Sequence, residues 1–534
     1  MKIEAGPFQH ERRPRVFNRT ARAWSRGLTL LSALALNGCA VGPDFQVPPP
    51  PRDTSYTEQV LPEATASAPG PGGEAQRLAA GRDIPADWWT LFRSPQIDGL
   101  VREALAHSPT LGAAQATLRE AHETLRANEG GLLLPAVTGQ AGATRERAAA
   151  TAIGGAAGGA PGSTAGPGAY DLTLLNATVN VSYNLDVFGS ARRQIEGFGA
   201  QVDNSYYQLE ATYLTLTSSV VTTALQEASV RAQLQTTQEI ADAQAEELKL
   251  IQQQYAVGAV PKSSVLQQQT QLATTRASLP GLEKQLQQTR NQLAVLVGAT
   301  PSRAALPTIR LEDLTLPSEL PVSLPSELVR QRPDIKQSEA QLHQASAQIG
   351  VATAALLPQF SITAQYGNEG GALAHLFDPA NAIWSLAGSV TQPIFKGGQL
   401  VAQRRAALAA YDAAWQQYRA TVLLAFENVA NTLVALDADA RTLVADVDAD
   451  DLARETLGQV EAQYKLGAVS YLALLDAQRQ YSQTHVSLVQ AQGTRFTDTA
   501  TLFQALGGGW WNRARPLADV SQPAKTGTPQ TPIP

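Results

Sequence analysis

Apolar residues recur along much of the chain in alternating steps of three and four, the spacing of a coiled-coil seam on an amphipathic helix. Val202, Tyr206, Leu209, Tyr213, Leu216 and Val220 follow that step, and Trp415, Tyr418, Val422, Ala425 and Val429 take up the same register further on. No proline interrupts residues 190–256. The pattern therefore predicts a single helix on the order of 100 Å long, at about 1.5 Å per residue. A rod of that length has no place inside a compact domain. Two other regions change to a period of two, which predicts strands. Thr178, Asn180, Ser182, Asn184 and Asp186 alternate with Val179, Val181, Tyr183 and Leu185. Phe360, Ile362, Ala364 and Tyr366 alternate with Ser361, Thr363 and Gln365, and Trp384, Leu386 and Val390 share a face opposite Ser385, Ser389 and Thr391. The expected hairpins pair about 135–148 with 172–188, and 358–367 with 381–395. Apolar and polar positions alternating with aromatics near strand ends are the mark of a transmembrane β-barrel.

The two pattern types occur twice in the same order, which predicts an internal tandem repeat. Tyr255 and Gly258 in Tyr-Ala-Val-Gly-Ala-Val are matched 209 positions on by Tyr464 and Gly467 in Tyr-Lys-Leu-Gly-Ala-Val. Ser108-Pro109-Thr110 aligns with Arg332-Pro333-Asp334 at an offset of 224. The difference places an insertion of about 15 residues in the first half, and the Gly/Ala-rich stretch 148–168 reads as that enlarged loop. The expected organisation is a first repeat over 81–298, a linker over 299–323 and a second repeat over 324–511. A Pro/Gly-rich extended strap over 39–80 precedes them and a loose Pro/Thr-rich tail over 512–534 follows. Within the returning helix of the first half, Pro280 is expected to kink the helix or break its ladder.

Four strands cannot close a barrel, and an open sheet in hydrocarbon leaves edge N–H and C=O groups unpaired at several kcal/mol apiece. Copies of the chain must then share one barrel, two giving eight strands and three giving twelve. Only the wider leaves room for traffic.

The N-terminus adds a location. Arg12, Arg13, Arg15, Arg19, Arg22 and Arg26 precede an apolar run from Leu28 to Leu36. That run is too short to span a bilayer, so residues 1–38 read as a signal peptide. Cys39 is the one cysteine of the chain and follows Leu36-Asn37-Gly38, so it forms no internal disulfide. The segment resembles a bacterial lipobox, which implies a covalent N-terminal lipid on Cys39; ordinary cleavage after Ala40 is the alternative. A net charge of −6 offers no basic footprint for nucleic acid. The six histidines, at 10, 107, 122, 343, 375 and 485, form no metal-ligand motif. Phosphate-loop and nucleophile-elbow motifs are missing from the sequence, so no enzyme, cofactor or metal is expected.

Cys39 followed by Val41-Gly42-Pro43-Asp44-Phe45, Trp88-Trp89 with Phe92, Arg332-Pro333-Asp334, Tyr464 with Gly467, Tyr471 to Gln478 and Gly507 to Trp510 stand in the order and spacing of a known family. The chain resembles the TolC-type outer-membrane factors, specifically the lipidated OprM-like (NodT-type) branch. The resemblance implies an α+β membrane protein: a homotrimer with a shared 12-stranded β-barrel and an antiparallel α-helical coiled-coil tunnel. It implies an outer-membrane efflux channel that works with a periplasmic membrane-fusion adaptor and a proton-driven inner-membrane pump. The outer channel of a type I protein secretion system and a periplasmic coiled-coil scaffold are the alternatives. By the same resemblance, Gly258, Ala259, Val260, Gly467, Ala468, Val469 and Ser470 are adaptor-binding tips, and Leu472 and Asp476, one helical turn apart, form a periplasmic aperture with Tyr464. Gln463 stands where the family often has an arginine, with Lys465 the nearby cation. The Gln-rich runs 252–254 and 267–269 read either as lumen lining or as solvated outer faces.

Overall fold

The computed structural model describes residues 40–59, 62–149 and 169–514. The expected signal peptide, Cys39, residues 150–168 of the enlarged loop and 515–534 of the tail lie outside them. In chain order the elements are β1 (Arg77–Ala80), α1 (Pro95–His107), α2 (Pro109–Leu133), β2 (Ala136–Ala149), β3 (Ala169–Leu185), α3 (Ser190–Ala256) and α4 (Lys262–Leu296). There follow β4 (Glu319–Val322), α5 (Pro325–Gln331), α6 (Pro333–Ala354), β5 (Gln359–Gly370), β6 (Ala382–Thr391), α7 (Gln399–Lys465) and α8 (Tyr471–Ala505). Helices α3 and α7 have 67 residues each, α4 and α8 35 each. The chain divides into two compact units.

The first unit holds an antiparallel sheet in the order β2-β3-β5-β6. Its register sets Val137, Val181, Ala364 and Leu386 in one row across all four strands, and Thr138, Asn180, Gln365 and Ser385 in the next. Successive side chains point to opposite faces of a strand, so the sheet has an apolar face and a polar one. The apolar face is bare: Trp384 and Leu386 are 77% and 70% exposed. Among the described residues, β2 and β6 each pair on one side only. At the end of β3, the Asp186 carboxylate accepts the N–H groups of Ala191 and Arg192 at 2.9 Å and so starts α3.

The second unit is helical. Trp88, Phe92, Phe496 and Phe503 are fully buried, with Trp88 stacked on Phe503 at 5.1 Å between ring centroids. The seam residues Leu209, Tyr213, Leu216, Val220, Tyr418, Val422, Ala425 and Val429 are buried in the same core. Helix α7 carries a stretch apolar enough in length and composition to cross a membrane, yet Val422, Ala425, Val429, Leu433 and Leu436 face this core. The Arg332 guanidinium donates to the Ala505 carbonyl at 2.8 Å and holds the Asp334 carboxylate through two nitrogens. It thereby takes up an orphan carbonyl at the end of α8.

The strap carries a strand: β1 pairs in parallel with β4, which lies in the expected linker, because Leu320 needs burial and these short segments satisfy each other's backbone. Pro280 lies inside α4, which runs through it; proline has no N–H to donate, so the expected break in the ladder is one missing bond.

Candidate functional site

Both long hairpins turn in the same manner. Val257 to Pro261 connect α3 to α4, and Leu466 to Ser470 connect α7 to α8. Gly258 and Gly467 have φ of 76° and 72°, a left-handed conformation that costs other residues about 1–2 kcal/mol. Their N–H groups donate to the carbonyls of Tyr255 and Tyr464 at 2.9 Å. The next N–H groups, of Ala259 and Ala468, donate to Gln254 at 2.8 Å and Gln463 at 2.9 Å. This double bond pattern satisfies the last helical carbonyls and stops the helix. Ser470 adds a cap by accepting the Ala473 N–H at 3.3 Å; Pro261, its counterpart, provides no side-chain cap. Gly258, Ala259, Gly467, Ala468 and Ser470 are exposed, and Val260 and Val469 are half-buried.

Behind the turns the two hairpins meet. Ile251, Val265, Tyr471 and Leu474 are buried together, with Val260 and Tyr464 packed around them. The Tyr471 hydroxyl donates to Gln268 Oε1 at 2.7 Å, and Gln268 Nε2 donates to the Gln244 carbonyl at 3.1 Å. The Tyr464 hydroxyl donates to Gln254 Oε1 at 3.1 Å. Burial, and then the Glu247 charge, push both tyrosine hydroxyls up, so each remains a donor at neutral pH. Glu247 is itself raised, by burial and then by Glu461, against a lowering influence of Lys465.

Leu472 and Asp476 lie on the exposed side of α8, away from Tyr471, Leu474 and Leu475. Leu472 is 53% exposed. Asp476 faces Arg479 of its own helix at 3.6 Å, and both side chains are mostly exposed, so the pair is weak. Thus the structure brings Tyr464 against the first hairpin and leaves Leu472 and Asp476 open. Among the described residues, no group of three or more His, Cys, Asp or Glu is placed to hold a metal ion.

At this end one residue departs from its reading in the sequence and two more were not singled out there. Gln268 is fully buried, neither lumen lining nor solvated, whereas Gln252, Gln253, Gln267 and Gln269 are exposed. Its position was legible: it stands three residues after Val265 and four before Leu272, both buried. Val257 and Leu466, one place before the turn glycines, are 81% and 85% exposed. An apolar residue at each of two equivalent turns was the available signal.

The model of the family described as outer membrane efflux protein matches residues 100–299 and 324–508. The chain is 30% identical over 444 residues to the pyoverdine export outer membrane protein OpmQ of Pseudomonas aeruginosa, covering 83% of this chain and 92% of that one. It is 28% identical over 509 residues to the probable efflux pump outer membrane protein TtgC of Pseudomonas putida, covering 94% and 98%. Among solved structures, the outer-membrane channel OprN superposes with a TM-score of 0.77 at 26% identity, over 88% of this chain and all of that one. The outer membrane protein VceC of Vibrio cholerae gives 0.72 at 26%, over 80% of this chain and all of that one.

Proposed function

The chain belongs to the outer membrane efflux protein family, and from that premise we propose that it is the outer-membrane channel of a tripartite efflux system, working as a homotrimer. Three four-stranded sheets close one 12-stranded barrel in this reading. The observation that carries it is the sheet of the first unit, with its bare apolar face and its two edges, β2 and β6, paired on one side only. Such edges are tolerable in lipid only when copies pair them into a closed barrel. The tandem repeat is supported by α3 matching α7 and α4 matching α8 in length, and by the same bond pattern at both turns.

The channel conducts passively, its energy supplied by a proton-driven inner-membrane pump reached through a periplasmic adaptor. The turn residues Gly258, Ala259, Val260, Gly467, Ala468, Val469 and Ser470 meet that adaptor, with Val257 and Leu466 as its apolar contacts. Open backbone and exposed apolar side chains at two equivalent turns support this assignment. Leu472 and Asp476 from three copies narrow the resting aperture, and Tyr464 braces it through its ring, which packs against that of Tyr471. An Asp476 ring would favour cations. Acylation of Cys39 holds the mature chain to the outer membrane. A relative named for pyoverdine export favours small-molecule cargo.

Particles purified from outer membranes in detergent are expected to show three-fold symmetry by electron microscopy and to conduct in planar bilayers, with cation preference reduced by Asp476→Asn. Two-fold or monomeric particles, or bilayers that stay silent, would overturn the reading.

A further inference from the structure

The first described residues of the chain, 40–44, lie in a slot of the first unit. The Val41 N–H donates to the Phe188 carbonyl at 3.0 Å. Arg193, in the first turn of α3 and 5% exposed, donates to the carbonyls of Val41 and Gly42 at 3.3 and 3.4 Å and to Asp44 Oδ1 at 2.7 Å. A buried guanidinium is costly without such partners, so the segment and Arg193 complete each other.

Three glycines make the fit possible. A Cβ on Gly42, whose φ is 101°, would lie 2.5 Å from the Gly350 Cα. One on Gly189 would lie 2.6 Å from the Ala40 Cα, and one on Gly350 would lie 2.9 Å from the Val41 oxygen. Gly189 and Gly350 come from separate stretches of sequence and press on the same five residues, while Gly42, within those five, presses back on Gly350. The slot lies where β3 ends, and exposed Leu134, Val187, Ile394 and Phe395 stand at that same end of the sheet, just before β2 or just after β3 and β6.

We infer that residues 40–44 and this slot are a peg and socket that fix where the acyl chains enter the membrane, beside the apolar foot of the sheet. The inference rests on the lipidation of Cys39 proposed above. Consecutive Cα atoms are about 3.8 Å apart across a trans peptide, so holding Ala40 holds the point from which the lipid departs. Lipid anchor and barrel then enter the membrane as one body.

The test uses the full-length protein with a nitroxide on Pro43→Cys, an exposed position of the peg; acylation of Cys39 leaves that thiol the one available for labelling. The parent is expected to give an immobilised spectrum. Gly42→Ala, which alters the peg and leaves the socket intact, and Arg193→Ala should each abolish the immobilised component. A separate label at Ser385→Cys on β6 should keep its spectrum in both variants, separating release of the peg from loss of the fold. A Pro43 label that is mobile in the parent, or immobile in both variants, overturns the socket. Mass spectrometry of the N-terminal peptide tests the premise independently: an acyl mass supports it, and its absence overturns the anchoring role whatever the spectra show.

Discussion

Tyr471→Phe removes one oxygen from the contact between the two hairpins and leaves the ring packing intact. The lost partner belongs to Gln268, which is fully buried, so its Oε1 has no solvent to turn to while the hairpins stay together. Leaving a buried acceptor unpaired costs about 1–3 kcal/mol. Once the hairpins part, water satisfies Gln268, and the open state bears none of that cost. The closed state is therefore selectively weakened, shifting the closed-to-open ratio about 5- to 150-fold per protomer, and more if three protomers open together. Tyr464→Phe is the internal control, because Gln254 is half-exposed and water can replace the hydroxyl; a shift of no more than a few-fold is expected. Open probability in planar bilayers at fixed voltage measures both. A Tyr471→Phe channel that gates like the parent, or a larger effect from Tyr464→Phe, would refute the view that buried tyrosine–glutamine bonds hold the resting state.

Leu386→Arg, on the bare face of β6, should cost about 2–4 kcal/mol near the bilayer midplane and lower the yield of assembled protein in outer membranes. Ser385→Arg, on the opposite face, should assemble normally and alter ion selectivity, and equal yields of the two variants would argue against the assigned faces. Arg332→Lys cannot hold Asp334 through two nitrogens while reaching the Ala505 carbonyl; a loss of about 1–3 kcal/mol should lower the unfolding temperature in detergent, and an unchanged temperature counts against that role. Burial, a hydrogen bond to Asp498 and then its charge raise Asp439 from 3.8 to about 7, against the lowering influence of Arg495. Between those values the folded chain keeps a proton that the unfolded chain has released, so this group's contribution to stability falls as pH rises from about 4 to about 7. Asp439→Asn should flatten that part of the unfolding-temperature profile, and an unchanged slope would contradict the assignment.

What could be read along the chain was whatever depends on neighbours a few residues apart. A step of three and four marks a buried stripe wherever the helix packs, so α3 and the buried positions from Leu209 to Val220 follow from the letters alone. Alternation marked the strands at 178–185 and 360–366 for the same reason, and Gly258 and Gly467 announced their turns because a positive φ suits few other residues. The site was legible to the same depth: the turns and the placing of Leu472 and Asp476 one helical turn apart follow from local sequence, while the partners of Tyr464 and Tyr471 do not. Partners far apart in sequence are chosen by packing. Gln268 is a polar letter in a polar run until Tyr471, 203 positions away, supplies its bond. Arg495 is fully buried because Thr65 and Gln76, 430 and 419 positions away, offer it oxygens. The pairing of β1 with β4 and the seating of residues 40–44 against Arg193 and Gly350 likewise depend on surfaces that exist only once the chain has folded. Periodicity fixes which side of an element turns inward; only tertiary structure decides what waits for it there.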